Sequence, residues 1–481
     1  MAGLWSFEAF CKAAGGTFEG TPPRAIGGIS IDSRTIAPGD AFFAITGVSM
    51  DGHDFVTRAI EAGAALAVIS SSKRAQLDDH APYLVVDGDP LEALERLGVA
   101  ARARTKARIV AVTGSVGKTS TKEMLKTALS AEGATHAPVG SFNNHWGVPL
   151  TLARMPVDTR FAVFEIGMNH AGEIRPLTGM VRPHIAIVTN VEKVHIEFFD
   201  GVEGIAEAKA EIFEGLEPEG MAILNRDNVW FDLLSERAGE AGAQVLSFGI
   251  HEDADIRMTR ATLGEETSVI ETSVDGEMMI FKIGAPGRHL AMNSLAVIAA
   301  AQALDLDLAR AGLSLASFSA PRGRGERFKL QHGSGGPMVL IDESYNANPA
   351  SMRAALALLA QTNPPMPRGR RIAVLGDMLE LGDEAQETHL DLQAPLAEAG
   401  VDLVFLTGPL MKSLWKVLPD RCRGAYADTA TELEPILSKA LGPGDVIVAK
   451  ASLGIRLGPV VDALKARFKP EQPEPIDGQT V

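Results

Sequence analysis

The stretch RIVAVTGSVGKTSTKEM, residues 108–124, decides how this chain is read. An apolar run, Ile109 to Val112, leads into Gly114 and Gly117, and Lys118 and Thr119 then open a segment with helical periodicity. A strand that feeds glycines into a tight turn at a helix start is the pattern of a phosphate-binding loop. The backbone N–H groups of the turn and of the helix N-terminus are expected to face a polyphosphate. The lysine reaches its β/γ end and the threonine hydroxyl is placed for Mg²⁺. Gly114, Ser115, Val116, Gly117, Lys118, Thr119 and Ser120 are therefore the candidate ATP-binding loop, with Lys118 as its catalytic cation. The common spacing G-x-x-x-x-G-K-[ST] asks for Gly at position 112, where this chain has Val. The pattern specifies a nucleoside triphosphate and leaves the reaction open; the tetrapeptide N-K-x-D that reads guanine is absent, which disfavours a regulatory GTPase.

Working outward, FAVFEIG, HIAIVTN and MAILN repeat the buried-strand pattern between helical runs, so residues 106–320 are expected to form a doubly wound nucleotide-binding domain. Within it TSVIETSVDGEMMIFKI alternates as two strands joined at Asp275-Gly276, a hairpin turn pair. Residues 1–105 read as a small α/β unit with strands in ISID, DAFFAIT, LAVIS and YLVVD, closed by ARARTKAR, which is charged and reads as a solvated boundary. The basic, Gly-rich SAPRGRGERF marks the next boundary. Beyond it PMVLIDES, RRIAVLGDM, DLVFLTG and DVIVAKA announce a third α/β domain, residues 321–470, of Rossmann-like character. The Pro-rich tail, 471–481, is expected to be disordered. The fold class is thus α/β, three domains.

Composition agrees with this. At 481 residues the chain is too long for one core, and 45 Lys+Arg against 61 Asp+Glu leave a net charge of −16 with no basic run, which argues against nucleic acid as a partner. Two cysteines suit a reducing compartment, and the start MAGLWSFEAF has neither a basic n-region nor a long apolar stretch. Apolar runs such as LAVIAAAQAL are about half of what a membrane span needs, so a cytoplasmic protein without membrane insertion is expected.

Four other polar groups bear on the chemistry. Glu165 ends the FAVFE run, where a carboxylate either faces the loop and holds Mg²⁺ or sits at the surface. HIAIVTN ends at Asn190, and His195 and Lys209 follow it, each of them a ligand or an ordinary solvated side chain. His289 and Asn293 lie one helical turn apart, where the asparagine either reads an adenine edge or packs. In IDESYNANPASM a strand ends in Asp342-Glu343, and Tyr345, Asn346 and Asn348 crowd the start of a helix, which marks a ligand crevice at a strand's carboxyl end.

Together these segments resemble the Mur ligases, ATP-dependent amide-forming enzymes of peptidoglycan synthesis with three α/β domains. The likeness lies in IDSRTIAPGDAFFAITG with DGHDF, the short loop TGSVGKTS, VGSFNNHWGVPLTL, EIGMNHAGEI, TNVEKVHIEFF with AKAEIF, IDESYNANPASM and GDMLELG, from about residue 30 to 458. The loop without its first Gly is a trait of that family. The resemblance is strongest to the branch that joins D-alanyl-D-alanine to UDP-N-acetylmuramoyl-tripeptide through an acyl phosphate, which makes these two molecules the expected partners of a monomeric enzyme. It implies that Ser33 and Arg34 bind the uridine-nucleotide end and that Asn143 and Asn144 line the substrate cleft. Thr119 with Glu165 would hold one Mg²⁺, and His195 with a carbamylated Lys209 a second, both of the latter counted as catalytic. Asn293, Asp342 and Asn346 would contact ATP. Two departures stand out. The family's H-N-x-x-N is His289-Leu290-Ala291-Met292-Asn293, so only Asn293 transfers, and the usual K-G-S is Lys450-Ala451-Ser452, next to which Lys450, Ser452 and Arg456 are the expected dipeptide contacts.

Overall fold

In the computed structural model, which describes residues 3–469, the Arg108–Thr113 strand lies inside a nine-stranded sheet. Its side chains alternate between two cores: Val110 and Val112 join one, Ile109 and Ala111 the other, and all four are fully buried. Burial on both faces is why the sequence here is continuously apolar rather than alternating. The sheet runs Thr135–His136, Phe161–Glu165, Arg108–Thr113, Ile185–Val188, Met221–Asn225 and Gln244–Gly249, all parallel. Ile256–Leu263 adds in parallel, and Ser268–Val274 and Glu277–Ile283 then finish the edge as antiparallel strands. In that last hairpin Val274 pairs with Glu277, and both intervening residues, Asp275 (φ 51°) and Gly276 (φ 84°), are left-handed, as a type I′ turn requires.

Because the chain leaves Arg108–Thr113 toward one side and later returns to its other side, this strand marks the switch point of the sheet. A crevice opens there at the carboxyl ends. The Lys118–Ser130 helix covers one face together with the Arg288–Ala303 helix, whose residues 293–301 are all buried; alanines let the helix lie close to the sheet.

A second parallel arrangement follows: Pro337–Glu343, Val446–Lys450, Arg371–Gly376, Leu403–Thr407 and Arg423–Ala427, with Glu326–Gln331 antiparallel at the edge. The strand latest in sequence, Val446–Lys450, lies between Pro337–Glu343 and Arg371–Gly376. That again produces a switch point, now at the ends carrying Glu343, Lys450 and Gly376.

The amino-terminal part is a five-stranded sheet in the order Thr17–Glu19, Tyr83–Val86, Leu66–Ser70, Ala41–Phe43, Ile29–Ser30, backed by the Pro90–Arg104 helix. The end of that helix is not a solvated boundary. Arg102 is 6% exposed and donates to the carbonyls of Val181 and Arg182 and to Glu217, while Arg104 lies 3.4 Å over the Trp5 ring and donates to the carbonyls of Leu4 and Met155. The guanidinium groups satisfy carbonyls at helix and turn ends, and so they fasten this unit to the nine-stranded one. The expected tail, 471–481, lies outside the described residues.

Candidate active site

A cavity of about 1060 Å³ opens between the carboxyl ends of the two large sheets. On the nine-stranded side stands the phosphate-loop candidate. Gly114 and Gly117 both have positive φ, 144° and 87°. Each also sits against a neighbour: a Cβ on Gly114 would come within 1.9 Å of Thr189 Oγ1, and one on Gly117 within 2.6 Å of Asn293 Nδ2. Glycine is required at both places for conformation and for room.

One part of the expectation for this loop changes. The N–H of Ser115 donates to the Asn190 carbonyl (3.0 Å) and that of Val116 to Asn190 Oδ1 (3.1 Å), while Ser115 Oγ and the Thr189 hydroxyl tie the turn to Glu192 and Val116 carbonyls. These two amides brace the loop instead of facing a ligand. The first intrahelical donor is Thr121, to the Gly117 carbonyl, so the N–H groups of Lys118, Thr119 and Ser120 remain without helical acceptors, a ready anion site. Lys118 Nζ rests on the Gly114 carbonyl at 2.6 Å, and burial pushes its pKa down to about 8, opposed by Glu165 and assisted by the Arg324 charge.

Thr119 and Glu165 meet at 2.8 Å (Oγ1 to Oε2). Asn143 Nδ2 donates to the other carboxylate oxygen at 2.7 Å, and Ser141 Oγ lies 3.2 Å from the Thr119 hydroxyl. Glu165 is thus turned toward the loop, 1% exposed. A hydroxyl beside a buried carboxylate is the oxygen donor set that a hard cation takes, with phosphate oxygens completing the shell. Among the described residues no three His, Cys, Asp or Glu side chains gather as a cage, so a cation here depends on such a mixed set. Lys209, in the Val202–Ala210 helix, is 3% exposed and has no hydrogen-bond partner among the described residues. Burial, with the nearby Lys118 charge, holds its amine far below the ordinary lysine range. A neutral, buried amine is the form that adds CO₂, and the fit to a carbamate is chemical. His195 lines the cavity and is bonded through Nδ1 to Glu380, whose carboxyl this bond holds below the usual range.

The opposite wall comes from the six-stranded sheet. Lys450 is buried, with Nζ 3.2 Å from Glu343 Oε2 and 2.9 Å from the Asn346 carbonyl; burial lowers its pKa and Glu343 opposes. Ser452 Oγ donates to the Ala347 carbonyl and accepts from the Leu379 N–H. Asn348 caps the Pro349–Gln361 helix with Ser351 in a capping box, which accounts for that residue.

Of the residues singled out from sequence, the cavity gathers Ser115, Val116, Gly117, Lys118, Ser120, Asn143, Asn144, Glu165, Asn190, His195, His289, Asn293, Glu343, Tyr345, Asn346, Asn348, Lys450 and Ser452. Others stand apart. Thr119 touches the site through Glu165, and Gly114 and Lys209 are not among the lining residues. Asp342 is 1% exposed and spends its oxygens on the Gly323 and Ser344 N–H groups and the Ser344 hydroxyl, so it shapes the crevice from beneath. Arg456, left-handed and exposed, is outside the lining, as are buried Ser33 and exposed Arg34, which is bonded to Asp32 at 2.7 Å after the Ile29–Ser30 strand. Two residues were missed. Arg324 stacks 4.0 Å over the Tyr345 ring and donates to Ser141, though SAPRGRGERF reads only as a boundary; Glu380 sits in GDMLELG, where no local pattern sets it apart from its neighbours.

A doubly wound sheet that presents a phosphate-binding loop to a second parallel sheet across a polar cavity defines a P-loop nucleotide-dependent enzyme. The chain belongs to the Mur ligase family. Residues 112–301 match the profile of the Mur ligase middle domain, residues 326–453 that of the Mur ligase glutamate ligase domain, and residues 25–139 that of the Mur ligase family catalytic domain. It is accordingly an ATP-dependent, amide-bond-forming ligase. Its relatives include the UDP-N-acetylmuramoyl-tripeptide--D-alanyl-D-alanine ligase of Rickettsia prowazekii, 33% identical over 436 residues that cover 90% of this chain and 94% of that one. Among solved structures it is similar to MurF from Acinetobacter baumannii, with a TM-score of 0.82, 30% identity and coverage of 96% and 99% of the two chains. The fold is shared with the MurF ligase from Thermotoga maritima in complex with ADP, with a TM-score of 0.75, 24% identity and coverage of 92% and 97%. Among the described residues no helix is long and apolar enough to cross a membrane.

Proposed function

We propose that this chain joins D-alanyl-D-alanine to UDP-N-acetylmuramoyl-tripeptide while ATP is cleaved to ADP and phosphate. The observation that carries the reading is the meeting of two strand-end crevices in one cavity, Lys118 and Glu165 on one wall and Lys450, Glu343 and Asn346 on the other. The name borne by relatives along nine-tenths of the chain supports the choice of substrates.

In this reaction the tripeptide carboxylate attacks the γ-phosphorus, the bridging bond to ADP breaks, and an acyl phosphate forms. The dipeptide amine then attacks the acyl carbon, gives up a proton, and phosphate leaves. Lys118 neutralises charge on the transferring group, and the N–H groups of Lys118, Thr119 and Ser120 hold the polyphosphate. Thr119 and Glu165 would hold one Mg²⁺, and His195 with Lys209 as a carbamate would hold a second; such ions would supply positive charge to the phosphate oxygens. Asn293 and Asn346 serve the nucleotide, with Asp342 supporting the turn beneath them. Asn143 and Asn144 order the acyl donor. Ser33 and Arg34 take its uridine-nucleotide end, and Lys450, Ser452 and Arg456 the dipeptide. Residues 1–105, 106–320 and 321–470 then act as donor, ATP and acceptor units, and a cavity shared by the last two excludes water from the acyl phosphate.

Measuring ADP release with the nucleotide-tripeptide and a panel of amines tests this. Turnover with D-alanyl-D-alanine, and little with D-alanine, L-alanyl-L-alanine or glutamate, is expected. Preference for glutamate or a single amino acid would transfer the chain to another ligase type.

A further inference from the structure

His195 and Glu380 belong to different sheets. His195 follows the Ile185–Val188 strand, and Glu380 follows Arg371–Gly376 of the six-stranded sheet. Both are non-glycine residues in the left-handed region, φ 57° and 62°, a strained state that persists only where surroundings enforce it and that concentrates at functional places. Their side chains are bonded to each other, and Lys193 pairs with Glu384 alongside. The backbones also approach closely: a Cβ on Gly382 would lie 3.5 Å from Glu197 Cα. Three residues on each side, Lys193, His195 and Glu197 against Glu384, Glu380 and Gly382, thus form one contact between the units at the rim of the cavity.

A carboxylate at Nδ1 fixes which ring nitrogen carries the proton. Nδ1 becomes the donor, and Nε2 is left with its lone pair, the form that ligates a cation. We propose that Glu380 is a positioning residue that holds His195 in this tautomer, and that because Glu380 arrives from the six-stranded unit, cation binding at His195 depends on that unit being docked. The proposal rests on the reading of His195 as a cation ligand. Lys193 and Glu384 secure the docking without touching the ring.

The test uses the full chain with ADP and Mn²⁺ as the probe, its affinity read by electron paramagnetic resonance. In parallel, ¹⁵N spectra of histidine-labelled protein report the His195 tautomer, assigned with His195→Gln. Glu380→Ala should weaken Mn²⁺ binding about tenfold and abolish the dominant Nδ1-protonated signal; Glu380→Gln, whose amide oxygen still accepts from Nδ1, should retain the signal and lose less affinity. Glu380 is substantially exposed, so these variants are not expected to unfold. If Glu380→Ala leaves both tautomer and affinity unchanged while His195→Gln weakens Mn²⁺ binding, the positioning role is overturned. If His195→Gln itself leaves affinity unchanged, the ligand reading falls and the cation part of the proposal with it; the spectrum then decides separately whether Glu380 sets the ring.

Discussion

Thr119 and Glu165, 46 residues apart in sequence, share a 2.8 Å hydrogen bond because the strand that leads into the Thr119 helix pairs in register with the strand ending at Glu165, Glu165 beside Val112. The parallel pairing carries the carboxylate to the level at which the loop begins. Two neutral donors, the Thr119 hydroxyl and the Asn143 amide, occupy its two oxygens, an arrangement that a cation replaces readily. Glu165→Gln preserves shape and one acceptor oxygen but turns the other acceptor into a donor and removes the charge. Turnover should fall at least a hundredfold, by roughly 3 kcal/mol of transition-state stabilisation. Thermal unfolding should shift by only a few degrees. Substantial activity in this variant at ordinary Mg²⁺ would remove Glu165 from the cation site.

Lys118 predicts a pH effect on ATP binding. Its pKa is pushed down to about 8 in the ligand-free protein, chiefly by burial, so above pH 8 the amine is largely neutral. A polyphosphate stabilises the charged form and raises that pKa again. The sign follows: above pH 8 binding takes up a proton and affinity weakens as pH rises, whereas below pH 7 little proton uptake occurs. Calorimetry in buffers of different ionisation enthalpy reads this directly, and Lys118→Arg, charged throughout, should flatten the dependence. A wild-type protein that binds ATP with no proton uptake at pH 9 would contradict the assignment.

Lys122, one turn beyond Lys118, is a structural lysine. Its side chain is fully buried, and Nζ donates to the Pro138 and Gly140 carbonyls and to Glu123 Oε1 at 3.2, 2.8 and 2.5 Å. Those carbonyls belong to the loop that presents Ser141 and Asn143 to Thr119 and Glu165. Lys122→Met keeps the stem and abandons two buried carbonyls. The expected loss is about 2–4 kcal/mol, given the cost of leaving such groups unpaired. Urea unfolding measures it, and KM for the acyl donor should rise in the same variant.

How legible all this was depends on burial. Strands covered on both faces, such as Arg108–Thr113 and Arg371–Gly376, read as unbroken apolar runs and were recognisable. Glu326–Gln331 was absorbed into a boundary because an edge strand of sequence ERFKLQ carries polar residues. The Asp275-Gly276 turn was legible because left-handed backbone selects those residue types. The bracing amides of Ser115 and Val116, the clamp made by Arg102, and the bond from Glu380 to His195 were not: each depends on a partner more than 70 residues away, which local pattern does not encode. ARARTKAR shows the same limit, since arginines at a helix end look solvated until the carbonyls they meet are known.

Lys209 supplies the last prediction. It is 3% exposed, has no hydrogen-bond partner among the described residues, and its pKa is lowered far by burial and by the Lys118 charge. A lysine kept merely for packing would leave an amine without compensation, and replacement by Met of similar volume should then stabilise the protein and spare activity. A lysine kept for CO₂ behaves differently. Burial favours the uncharged amine, the form that adds CO₂; the carbamate is anionic, and its oxygens suit a hard cation beside Lys118. Lys209→Ala should lose most activity and recover part of it with formate or acetate, which fill the vacated space with an oxygen donor, whereas Lys209→Met should lose activity with no such recovery. Incubation with ¹³C-bicarbonate should give a carbamate resonance in the wild type that is absent from both variants and fades as the pH is lowered, because protonation of the amine competes with CO₂. Wild-type protein that is fully active with an unmodified Lys209 by intact mass under CO₂-saturated, metal-bound conditions would end the carbamate assignment and leave His195 without its expected partner.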